Sequence, residues 1–138
     1  MRITPYLFFD GNCAEAMRFY AGLLQAEVEM MLTYAEGPPG AEMPAGSGDR
    51  IMHSRIAAGE LALMASDCPP GRSRPMQGLY VSLDLPTVAE AERVFAALSD
   101  GGEVQMPLAP TFWALSFGTV VDRFGTPWML DVSQPGPG

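Results

Sequence analysis

The chain contains one histidine, His53, and two positions further along stands Arg55. In extended backbone, residues two apart share a face, so His53, Arg55 and Ala57 line up opposite Met52, Ser54 and Ile56. On the wall of a cleft this pair would supply a hydrogen-bonding imidazole and a cation for an anionic or polar ligand. On a strand edge in solvent it would be merely hydrated. Phe112, Trp113 and Phe117 cluster where a loop enters an apolar run. With Leu7, Phe9, Met64 and Met129 they form either a pocket able to hold a flat ligand or a stretch of ordinary core. Ten methionines would make such a pocket adaptable. Nucleophilic catalysis has no visible footing, because neither Cys13 nor Cys68 stands at a spacing from His53 that suggests pairing, and no Ser-His-Asp set or hydrolase-type carboxylate pair is discernible. Without a CxxC spacing the two cysteines are read as free thiols.

The elements that must carry these residues are marked by an internal repeat. Asn12-Cys13-Ala14-Glu15-Ala16-Met17-Arg18-Phe19-Tyr20 matches Thr87-Val88-Ala89-Glu90-Ala91-Glu92-Arg93-Val94-Phe95 at a constant offset of 75 residues. Each segment opens on an N-cap residue, Asn12 or Thr87, with a glutamate three positions on, so each predicts a helix start. Cys13, Met17, Tyr20 and Leu24 share one helical stripe, as do Val88, Ala91, Phe95 and Leu98, which packs one face of each helix on a sheet. Gly101-Gly102 closes the second helix. An apolar extended run precedes each helix, Ile3 to Phe9 and Leu79 to Leu85. Three follow each: Val28 to Tyr34, Ile51 to Ala57 and Glu60 to Ala65, then Val104 to Leu108, Ala114 to Val121 and Trp128 to Val132. The order is βαβββ twice, an α+β protein; a ferredoxin-like sheet is the alternative that the pattern leaves open. The chain is read as one domain over 1–138, with module one at 1–68 and module two at 76–138. The Gly/Pro-rich stretch Ala35 to Asp49 is a lid or a hairpin tip.

A formal charge of −8 with only eight Lys and Arg argues against a nucleic-acid partner, which needs clustered cations. No run approaches the roughly 20 apolar residues of a membrane span, and Met1 to Phe9 lacks the features of a signal segment, so a cytoplasmic address is expected.

Three stretches, GNCAEAMRFY, HSRIAAGELALMASD and TFWALSFGTVVDRFGTPWMLDV, resemble the PhnB-like, or demethylubiquinone-methyltransferase-like, branch of the glyoxalase/bleomycin-resistance group of the vicinal oxygen chelate superfamily. The closing DRFGTPWML is the most specific, with Gly125 in a turn and Pro127-Trp128 leading into the last strand. The resemblance implies two sheets curving round a cleft with helices outside, and frequently a homodimer. It inclines His53 towards the cleft, since similar chains carry histidine there. The methyltransferase label finds no support in a glycine-rich nucleotide turn, which is absent.

In catalytic members of that superfamily four strand positions supply metal ligands. The resemblance puts them at Pro5, at Gly78 or Tyr80, near Met64 with Ser66 as the same-face alternative, and at Met129; Asp131 lies two residues further along. Proline, glycine and thioethers do not build a zinc, nickel or manganese site, so no metal and no cofactor is expected. The chain is therefore read as a small-molecule binding protein with Leu7, Phe9, His53, Arg55, Met64, Trp113, Phe117, Met129 and Asp131 as ligand contacts and no catalytic residue assigned. A metal-dependent or His53-dependent enzyme and an inert dimeric scaffold are the alternatives. Homodimerisation, with neither nucleic acid nor membrane as partner, completes the expectation.

Overall fold

A computed structural model of the chain describes residues 1–37 and 47–134. Most of the stretch read as a lid or hairpin tip, residues 38–46, lies outside the described residues. The element order is β1 (Tyr6–Phe9), α1 (Cys13–Leu24), β2 (Glu27–Thr33), β3 (Ile51–Ala58), β4 (Leu61–Asp67), β5 (Val81–Asp84), α2 (Val88–Ser99), β6 (Glu103–Ala109), β7 (Ala114–Val121) and β8 (Pro127–Ser133). This is βαβββ twice, in two compact units, Met1–Arg74 and Pro75–Gly138. No helix among the described residues is long and apolar enough to cross a membrane.

In the first unit the strand order is β1-β4-β3-β2, with β1 parallel to β4 and the other pairs antiparallel. The helix α1 lies against β2, β3 and β4. Its buried stripe is Cys13, Ala16, Met17, Tyr20, Ala21 and Leu23, and it meets a sheet face that includes Ile56, Leu63 and Ala65. The helix start differs from the expectation. Asn12 makes no side-chain cap hydrogen bond. The buried Asp67 at the end of β4 takes that role from a distance: its Oδ1 accepts from the backbone N–H of Gly11 at 2.8 Å and of Cys13 at 3.0 Å, and its Oδ2 from that of Ile51 at 2.9 Å. One carboxylate thus ties the β1–α1 loop to the head of β3.

In the second unit the order is β5-β8-β7-β6, again with one parallel pair, β5 with β8. Here the local cap forms, Thr87 Oγ1 accepting from the Glu90 N–H at 3.1 Å. The DRFGTPW turn is organised by Asp122, whose Oδ1 accepts from the N–H groups of Phe124 and Thr126 and whose Oδ2 accepts from Trp128 Nε1 at 2.8 Å. Gly125 sits there at φ +91, a conformation that side chains other than glycine rarely adopt. Trp128 is thereby fixed in the core as β8 begins.

Candidate functional site

Each sheet has one face covered by its helix and one open face, and strand alternation decides which side chains reach the open one. On β1 the phase is unambiguous: Leu7 and Phe9 are each 3% exposed, while Tyr6 and Phe8 are 37% and 54% exposed. Leu7 and Phe9 are therefore core residues of the covered face, a correction to their reading as pocket residues. Ile3 to Phe9 has no polar alternation near its end, so the sequence does not reveal that Tyr6 and Phe8 are the side chains presented outward.

On the first unit's open face, Tyr6 and Arg55 are the cross-strand neighbours of Met64, and Met30 is that of Arg55. In the next row Phe8 is opposite Ser66, and His53 is opposite Leu32. The Tyr6 hydroxyl is hydrogen-bonded to His53 Nδ1 at 3.0 Å, and the two rings stack with centroids 5.6 Å apart. Phe8 lies against Tyr6 at 5.2 Å between centroids. The bond to Nδ1 fixes the orientation of the imidazole and leaves Nε2 for a ligand. Arg55 donates through Nε to Glu29 Oε1 at 2.8 Å, a pair that is only partly exposed on both sides. Glu29 reaches it because the β2–β3 register shifts between Val28 and Met30, and such a bulge re-aims one side chain. The face continues into an open depression of about 540 Å³ whose lining includes Thr4, Arg55, Ala57, Gly59 and Ala62.

The second unit repeats this plan with different chemistry. Met129 stands between Ser82 and Thr119, and Asp131 between Asp84 and Phe117. Phe112, Trp113 and Phe117 form the aromatic cluster expected, with centroids 4.8 Å and 5.4 Å apart in edge-on contacts. Phe112 is 90% exposed, so it is not core. A bulge recurs at the matching place in β6, between Val104 and Met106, and the Gln105 side chain there accepts from the Tyr80 hydroxyl at 2.6 Å. A depression of about 410 Å³ adjoins it, lined by Gly78, Tyr80, Gln105, Val121 and Pro127 among others.

The structure thus brings His53, Arg55 and Met64 together on one open face and Trp113, Phe117, Met129 and Asp131 together on another. Sequence reasoning missed Tyr6, Phe8, Glu29 and Asp84; a bulge leaves no sequence signal, whereas Asp84 could have been found by following the alternation of its run. At the positions where the superfamily resemblance implies metal ligands, Met64 and Met129 occupy matching open-face sites, Ser66 is buried, the Pro5 carbonyl accepts from the Met64 N–H, and Gly78 has a positive φ. These residues do not fit a zinc, nickel or manganese centre. Among the described residues no group of three or more His, Cys, Asp or Glu is placed to hold a metal ion.

A family model described as 3-demethylubiquinone-9 3-methyltransferase matches residues 1–131. Protein YjdN of Escherichia coli (strain K12) is 34% identical over 145 residues, spanning 99% of either chain. Among solved structures, protein PA1353 from Pseudomonas aeruginosa is 47% identical with a TM-score of 0.89, covering 98% of this chain and 99% of that one. A PhnB protein from Bacillus cereus, described as a putative 3-demethylubiquinone-9 3-methyltransferase, is 27% identical with a TM-score of 0.77, covering 96% and 100%. A glyoxylase/bleomycin resistance protein/dioxygenase domain from Frankia sp. EAN1pec, at 10% identity and a TM-score of 0.69 over 97% and 98% of the chains, shares the fold alone.

Proposed function

The chain belongs to the PhnB-like, 3-demethylubiquinone-9 3-methyltransferase family within the glyoxalase/bleomycin-resistance fold, and from that premise we propose that it is a small-molecule binding protein whose ligand rests on the open face of the first unit. The observation that carries this reading is the Tyr6–His53 hydrogen bond and ring stack on an uncovered sheet face, beside Phe8 and Met64. Aromatic and thioether side chains left uncovered offer apolar contact, while the His53 Nε2 and Arg55 guanidinium offer directional bonds; this mixture is the usual make-up of a ligand site. Glu29 offsets the charge of Arg55, which favours a polar, neutral ligand group over a free anion.

A thermal-shift screen of metabolite-like compounds tests it. A ligand at 100 times its dissociation constant stabilises a protein by about 2.7 kcal/mol. A hit should lose most of its shift in Tyr6→Phe and in His53→Ala, both of which should still fold because neither side chain is in the core. Hits that bind those variants unchanged would place the site elsewhere, and a screen with no hits would favour an inert scaffold.

A second reading has its own observation. A tyrosine hydroxyl bonded to an imidazole is also an acid–base pair, so His53 acting as a general acid or base is a coherent alternative. Turnover of a bound compound, with a pH profile altered in Tyr6→Phe, would move the protein from binder to enzyme.

A further inference from the structure

Resting on the reading of the first unit's open face as a ligand site, we infer the class of its ligand: a flat, neutral compound whose polar end carries only hydrogen-bond acceptors, such as an aryl ketone or ester, and whose remainder lies in the depression floored by Ala57 and Ala62. One hydrogen lies between the Tyr6 hydroxyl and His53 Nδ1, which are 3.0 Å apart. A phenol is the stronger acid of the two groups and an imidazole nitrogen the stronger base, so the hydroxyl donates and Nδ1 accepts. A neutral ring that accepts at Nδ1 carries its hydrogen on Nε2, so His53 turns a donor to the ligand. Arg55, two residues along on the same face, has donors only. Glu29 Oε1 takes its Nε–H at 2.8 Å, and its terminal N–H groups make no hydrogen bond among the described residues. The carboxylate thus offsets the charge of the guanidinium without occupying those donors. An uncharged oxygen acceptor fits that combination; an ammonium group would meet only donors, and an anion would meet a cation already paired.

The relief of the face sets the shape of the ligand. In one row Tyr6 and Arg55 flank Met64, all long side chains, whereas two residues on along β3 Ala57 pairs with Ala62. The face therefore steps down, and the step opens the depression of about 540 Å³ whose lining includes Thr4, Arg55, Ala57 and Ala62, with the exposed Arg2 and Glu60 beside them. A cavity of that size suits a small molecule rather than an ion. From His53 to Ala57 is four residues of extended backbone, roughly 13 Å, the length of a substituted single ring or of two linked rings. Tyr6 and Phe8, partly uncovered and 5.2 Å apart between ring centroids, supply apolar contact for the flat part.

Two NMR measurements on the full chain test this. Because His53 is the only histidine, long-range proton–nitrogen spectra in mildly alkaline buffer report its tautomer directly. Nε2 should carry the hydrogen, and Tyr6→Phe should move both ring nitrogens towards the tautomer average; a hydrogen on Nδ1 overturns the inference even if the face binds ligands. The second measurement titrates p-methoxyacetophenone beside p-ethylanisole, which has the same shape without the carbonyl, and p-methoxybenzoate, its anionic counterpart. Amides at His53, Arg55, Ala57 and Ala62 should saturate with the ketone roughly three- to tenfold more tightly than with either comparator. Ala62→Leu, which raises the floor of the depression, should weaken the ketone by a similar factor and leave the tautomer unchanged; Ala57→Leu serves if that variant does not fold. Equal affinity for p-ethylanisole, a preference for the benzoate, no saturation by the ketone at millimolar concentration, or indifference to the raised floor would each overturn the inference. The reading of the face as a ligand site fails separately, on a thermal-shift screen with no hit that depends on His53. Ammonium compounds that bind and depend on His53 would keep that reading and sink this one.

Discussion

At the scale of single residues, the buried polar groups do the work that holds each open face in place. Asp67 gathers three backbone N–H groups from the β1–α1 loop and β3 onto its two oxygens. An amide can accept on one atom only, so Asp67→Asn leaves at least one donor facing an NH2 group. The expected cost is about 3 kcal/mol of unfolding free energy, read from chemical denaturation; a loss under roughly 1 kcal/mol would show that the loop finds other partners. Cys13 illustrates the opposite kind of burial. Desolvation pushes its thiol up to about 12, with the Ser54 hydroxyl opposing and Asp67 adding to the rise. A thiol whose folded value lies above the ordinary 9.0 contributes stability that is fully present below pH 9 and is lost as pH climbs towards 12. Cys68, half-buried and also raised by desolvation and then by Asp10 and Asp67, is the more accessible of the two. With a thiol reagent at pH 8 the folded chain should therefore show Cys13 silent until denaturation, and two rapidly reacting thiols would contradict the burial. That His53 and Arg55 share a face was legible from their spacing, because residues two apart on a strand point the same way, but the spacing did not say what that face meets. The outward phase of Tyr6 and Phe8 was not legible, because in Tyr6-Leu7-Phe8-Phe9 every residue is apolar and either phase satisfies the sequence.

At the scale of elements, the repeat was readable because helices announce themselves by caps and stripes, and each of the eight strands overlaps a run seen in advance, with ends that differ by a few residues at most. The capping, however, is asymmetric in a way that the matched sequences conceal. Thr87 caps α2 with its own side chain, whereas Asn12 does not cap α1, whose first turn is served by Asp67 from 54 residues away at Cys13. Sequence can show which residues are able to cap, but not that a long-range carboxylate has already taken the donor. Thr87→Ala should cost about 1 kcal/mol, and Asn12→Ala under about 0.5 kcal/mol, since no cap bond is lost. Equal losses at the two sites in denaturant melts would refute this asymmetry. The paired bulges in β2 and β6 were equally invisible, being displacements of register rather than of composition. Their consequence is geometric: each turns one polar side chain, Glu29 or Gln105, to a partner on the neighbouring strands or the approach to them, Arg55 in one unit and Tyr80 in the other.

At the scale of the whole molecule, four of the exposed apolar side chains recur at matching places in the two units. Val28 and Met30 on β2 and Val104 and Met106 on β6 are all exposed, on strands that form the edges of their sheets. An edge strand presents unpaired backbone groups, and apolar side chains beside them invite association unless something covers them. The bulges blunt both edges against open-ended strand addition, which leaves side-chain packing in a closed arrangement as the means of covering them. A second copy of the chain related by a twofold axis satisfies this most simply, because each patch then meets its counterpart in an isologous contact and growth stops at two. The expected state is a homodimer that buries more than about 1,000 Å² in total. Sedimentation velocity over a range of concentrations should show one dimeric species, and glutamate at Met30 together with glutamate at Met106 should shift it to monomer while leaving the fold intact, since both positions lie outside the cores. A parent chain that sediments as a monomer at high micromolar concentration would rule out the dimer, and a dimer indifferent to both glutamates would show that the edges are covered in some other way.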